Sequence, residues 1–82
     1  MVTMLRSDGF RVIIFTNDHG PVHVHGFGDG EAKIDLSGPD HKPLLIWARQ
    51  MTKQDLRRAM PLVMEYRRFL AGKWRDIHGR AD

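Results

Sequence analysis

The chain contains no cysteine, which excludes disulfides and thiolate metal sites as supports for the fold and suits a reducing compartment. It also lacks any apolar run long enough to span a membrane. The opening "MVTMLRSDGF" has neither the apolar stretch nor the small-residue cleavage site of a secretory signal, so the sequence reads as cytoplasmic, with no membrane partner. Internal repeats and low-complexity stretches are missing too. With 82 residues there is material for one modest core and none for a second, so residues 1–82 are expected to form a single domain. A hydrophobic content of 41% and a charged content of 28% are those of a chain that folds rather than one that stays disordered.

The charge that is present is unevenly placed. Residues 1–51 carry five Lys/Arg against six Asp/Glu, whereas residues 52–82 carry eight against four. A basic C-terminal segment favours a polyanion or an acidic protein as partner, although the same excess suits a solvated helix.

"GFRVIIFT" (residues 9–16) is rich in β-branched and aromatic residues and lies between two turn signals, the profile of a strand. Both its faces are largely apolar, so a central position is expected. "VHVHGF" and "EAKIDL" alternate strictly and are joined by "GDG", which predicts a hairpin with Gly30 left-handed in a bulge. "LLIWAR" reads as a fourth strand, with Pro43 suiting an edge or a strand start. From Thr52 onward the period changes: Leu56, Met60, Val63, Leu70, Trp74 and Ile77 form one stripe of an amphipathic helix. Thr52 and Asp55 make an N-terminal capping arrangement, Gly79 is a stop signal, and Pro61 is expected to kink the helix. The predicted fold is α+β in two layers: a three- or four-stranded antiparallel sheet packed against a long kinked C-terminal helix. The stripe is expected to cover Val22, Val24, Ala32, Ile34 and Leu36.

The densest chemistry lies in "NDHGPVHVHGFGDGEAK" (residues 17–33), where three histidines fall within seven positions. Burying Val22 and Val24 forces His23 and His25 onto the opposite face. The register that keeps apolar opposite apolar pairs His23 with Asp35, His25 with Lys33 and Phe27 with Glu31. Two imidazoles, a carboxylate and an ammonium then share an open patch, and three readings stand. One is acid–base chemistry on a phosphodiester, with His23 oriented by Asp35 and Lys33 stabilising negative charge. Another is a zinc, nickel or iron(II) site using His23 and His25 with Glu31, His19 or His41. The third is that these are ordinary polar residues of an exposed sheet face. His78 reads as a residue that satisfies the helix C-terminus. Arg57, Arg58, Arg67, Arg68, Lys73 and Arg75 are candidate phosphate contacts on the outer helical face. Trp47, Trp74 and Tyr66 read as core or interface aromatics, and "GFGDG" lacks the following helix that a phosphate-cradling loop needs.

Gly9-Phe10-Arg11, Asn17-Asp18-His19, Pro21, His23-Val24-His25, Glu31-Ala32-Lys33 and the run from Trp74 to His78-Gly79 together resemble a bacterial family of small proteins, domain of unknown function 4160. The likeness spans nearly the whole chain. It departs from the family's "PPHVHV" motif at Val22, in place of the second proline, and at Gly26, in place of an apolar residue. The resemblance implies a component of a toxin–antitoxin gene pair, with a small partner protein encoded by an adjacent gene, and names no catalytic residue. "PVHVHGF" is also similar to the motif of the histidine-triad nucleotide hydrolases, but the chain is too short for that fold. The combined expectation is a small basic protein that acts on or binds RNA or DNA, as a ribonuclease dependent on His23, His25, Lys33 and Asp35. The alternatives are a non-catalytic interaction or DNA-binding module and a histidine-based metal protein. No cofactor or metal is assigned, and a second copy pairing along the exposed fourth strand is a further expected partner.

Overall fold

Seven elements succeed one another in the computed structural model: β1 (Val2–Ser7), β2 (Phe10–Ile14), β3 (His23–Phe27), β4 (Glu31–Asp35), β5 (Leu44–Arg49), α1 (Lys53–Glu65) and α2 (Arg67–His78). The structure describes residues 2–7, 9–16, 21–38 and 42–79, with the side chains of 2–4 and 7 left aside. The strands form one antiparallel sheet in the order β1-β2-β3-β4-β5, each pairing with its neighbour in the chain.

The helix-facing side of the sheet carries Phe10, Val12 and Ile14 of β2, Val24 of β3, and Ala32, Ile34 and Leu36 in and just after β4. Ala59 and Val63 of α1 and Leu70 and Trp74 of α2 close the core from above, with Val22, Leu56, Met60 and Ile77 packed at its margin. The amphipathic stripe therefore covers the residues expected of it. The start of α1 is also as expected, since the Asp55 N–H donates to Thr52 Oγ1 at 3.0 Å. α2 ends at His78, with Gly79 following at φ 72°.

Three expectations need correction. The sheet has five strands rather than three or four, because "VTMLRS" adds an edge to β2 through a register shift between Thr3 and Leu5. A bulge puts residues of both parities on one face, and so hides the period-2 signal of this strand. The helical region is two helices rather than one kinked helix. Pro61 is accommodated inside α1, and the chain breaks instead at Tyr66, where φ −103° and ψ 17° leave the helical region. No residue between Val63 and Leu70 is buried, so nothing packs down the junction. Finally, Gly30 is absent from the positive-φ glycines among the described residues, which are Gly9 and Gly79. Glycine is needed at position 30 for another reason: a Cβ there would run into the backbone of Arg49 and Gln50. The hairpin tip is thus seated against the end of β5, next to Gln50 at φ 57°.

Two glycine substitutions test this packing in opposite directions. Gly30→Ala should destabilise the protein by about 1–3 kcal/mol, because backbone must shift to admit the methyl group. Gly72→Ala, in α2 with nothing within 4 Å of the added carbon, should stabilise it by about 0.5–1 kcal/mol. Urea denaturation of the two variants beside the parent checks both signs.

Candidate functional site

Alternation along β3 sends Val24 to the core and the two histidines to the other face, and the hairpin register is the predicted one: His23 opposite Asp35, His25 opposite Lys33, Phe27 opposite Glu31. The flanking strands extend these pairs into rows. His25 lies between Ile13 and Lys33, with Trp47 next along; Phe27 lies between Arg11 and Glu31, with Arg49 next along.

The face is not the open patch that the sequence suggests. His23 is 1% exposed and His25 7%. Phe15 meets the His25 ring edge-on at 4.5 Å, the His23 ring lies 5.3 Å away, and Trp47 stands at 6.0 Å. His23 in turn lies 6.3 Å from Trp74. A file of rings therefore runs from Trp47 on the edge strand past His25 and His23 to the helix layer.

Hydrogen bonds orient both imidazoles. His25 Nδ1 is 2.9 Å from Glu31 Oε2, and His23 Nδ1 is 2.7 Å from the Pro21 carbonyl. A carboxylate and a carbonyl only accept, so each Nδ1 donates, and in the neutral ring Nε2 carries the lone pair. A carboxylate behind a histidine is an arrangement found at acid–base and metal sites alike. The expected assignment of the acid changes, however. Asp35 does not orient His23; its Oδ1 accepts from Ser37 N at 2.7 Å and Ser37 Oγ at 2.6 Å, capping its own turn. Glu31 takes the orienting role, on the other histidine. The predicted register already contained this diagonal pairing, since Glu31 shares a face with Lys33 two residues away.

His78 does more than finish its helix. Nδ1 lies 3.0 Å from Trp74 O and Nε2 3.0 Å from Phe15 O, and the ring stacks on Trp74 at 4.1 Å. It fastens the end of α2 to the segment that supplies Phe15.

Arg57, Arg58, Arg68, Lys73 and Arg75 are exposed on the helices, and Arg67 is half-buried. Arg58 Nη2 reaches Asp55 Oδ1 at 3.3 Å and Lys73 lies over the Phe69 ring at 5.6 Å. These cations belong to the layer on the far side of the sheet from the histidines, so the two predicted residue sets are not brought together. Among the described residues no group of three or more His, Cys, Asp or Glu is placed to hold a metal ion. His19 and His41, the third ligands considered, lie outside the described residues. No described helix is long and apolar enough to cross a membrane.

A family model, Domain of unknown function (DUF4160), matches residues 9–75. The chain belongs to the DUF4160 family. The matched span of this DUF4160 protein contains both histidines, Glu31, Lys33 and Trp47, and leaves β1 and His78 outside. No curated protein and no solved structure matches the chain.

The His25–Glu31 bond can be tested by its tautomer. Histidine nitrogen chemical shifts should show His25 protonated on Nδ1 in the parent. Glu31→Leu should lose that preference and about 1.5–3 kcal/mol of stability, the range for a hydrogen bond to a charged group. A His25 spectrum identical in the variant would show that the carboxylate does not set the ring.

Proposed function

We propose that this protein is one member of a toxin–antitoxin-like gene pair and that it acts on RNA through the histidine face of its sheet. The observation that carries the reading is the 2.9 Å contact between His25 Nδ1 and Glu31, with Lys33 opposite His25 and a second ring at 5.3 Å. In this reading His25 is the general base. Its Nε2 takes the 2′-hydroxyl proton as that oxygen bonds to phosphorus and the bond from phosphorus to the 5′ oxygen breaks; His23 enters this step as the imidazolium, gives its Nε2 proton to the departing oxygen and is left neutral. Lys33, which makes no ion pair among the described residues, offsets the charge that develops on the phosphate. Asp35, occupied by Ser37, serves the turn. Trp47, half-buried on the edge strand with its ring 6.0 Å from that of His25, borders the approach to that imidazole.

Burial of the two rings favours a second reading, in which the protein is a non-catalytic interaction module of the pair and the histidines hold β3 against its neighbours. The two are separated by one experiment. Purified protein is incubated with a labelled single-stranded RNA and the products are resolved. Under the first reading His25→Ala lowers the cleavage rate by at least about 100-fold and Glu31→Gln by less. Cleavage that persists unchanged in a folded His23→Ala/His25→Ala variant removes the catalytic reading, and the absence of cleavage by the parent leaves the second.

A further inference from the structure

The face opposite the helices carries two matched pairs that the histidine chemistry does not use. The Arg11 guanidinium stands 5.7 Å from the Phe27 ring centroid, and the Arg49 guanidinium 5.1 Å from that of Trp47. Phe27 and Trp47 occupy opposite corners of the three-strand patch β3-β4-β5: Phe27 shares a row with Glu31 and Arg49, Trp47 a row with Lys33 and His25. Two strand spacings across and two residues along separate them by roughly 12 Å. Phe15, just after β2 on the other side of β3, lies 6.2 Å from Phe27 and 4.5 Å from His25.

We infer that this face is a binding platform for single-stranded nucleic acid, with one base stacked at Phe27 and Arg11, another at Trp47 and Arg49, and the intervening phosphate beside Lys33. Three features select this occupant. Aromatic rings paired with arginine on a sheet face stack bases regardless of their identity. The cations of the patch, Arg11, Lys33 and Arg49, outnumber its acids, Glu31 and Asp35, and both acids are engaged within the protein by His25 and Ser37. Separated rings suit a splayed strand, whose bases expose their faces; a duplex keeps those faces stacked inside itself. The diagonal between the rings passes over the His25–Glu31 pair, so the inference deepens the reading that this face acts on RNA and rests on it for the choice of RNA over DNA. Nucleic-acid contact is thereby moved from the outer helical arginines to the layer that holds the histidines.

The test uses the full chain with a fluorescently labelled oligouridine and, separately, a duplex RNA of equal length, at two salt concentrations. The oligouridine should bind more tightly than the duplex, quench tryptophan emission and weaken with salt. Trp47→Ala and Phe27→Ala should each weaken binding about tenfold or more, with Trp47→Phe restoring most of it. Arg11→Gln and Arg49→Gln, at exposed positions, should weaken binding and flatten its salt dependence even if the aromatic variants fail to fold. Equal affinity for duplex, or binding lost in Arg68→Gln/Lys73→Gln but unaffected at Arg11 and Arg49, would overturn the platform. Binding of this pattern without cleavage supports it while removing only the catalytic reading.

Discussion

Val24 has no exposed surface, and its burial sets the orientation of everything around it. A strand offers its side chains to two faces by turns, so seating this valine against Ile34 and beneath the helices commits His23 and His25 to the other side. Gly26 continues the constraint, because a Cβ there would approach Phe10 Cζ at 2.6 Å. The aromatic ring takes the room that a side chain would need. β3 is thus packed by its even-numbered positions and chemically distinguished by its odd-numbered ones.

The two layers divide their tasks accordingly. Leu70 and Trp74 seal the helix side, yet Trp74 also approaches His23 and stacks with His78, which reaches back to the Phe15 carbonyl. Through these contacts the end of α2 helps to hold the ring file in place without contributing to the face itself. Ile13 is 1% exposed on the histidine side, so the middle of that side is a partial second core of aromatic and imidazole rings, bordered by the exposed Arg11 and Arg49. Buried polar rings require partners, and the carboxylate of Glu31 and the carbonyl of Pro21 supply them.

Much of this was legible from the residues. Strict alternation through "HVHGF" and "EAKID" pointed to the hairpin and its register, because a slip by one residue would set the valines against Lys33 and Asp35. Thr52, Asp55 and Gly79 marked the helical limits through capping chemistry. The features that escaped depend on tertiary contact. β1 lacks alternation because its pairing is irregular, and the break at Tyr66 leaves the phase of the apolar stripe unchanged. Which carboxylate meets which histidine turns on side-chain reach across a diagonal, and Asp35 is diverted by a serine two residues away. Trp47 gave no sign of meeting His25, since that contact crosses β4. Burial of the histidines was equally hidden: alternation states a side, and the neighbouring strands decide how crowded that side is.

A sheet in which each strand pairs only with its neighbours in the chain can be assembled one reversal at a time. The hairpin that sets His25 against Glu31 closes over a very short loop, at low entropic cost. The contact is made entirely within that hairpin, between its own two strands. Sequence drift in the outer layer can alter how firmly the protein holds together while leaving the arrangement of imidazole and carboxylate intact.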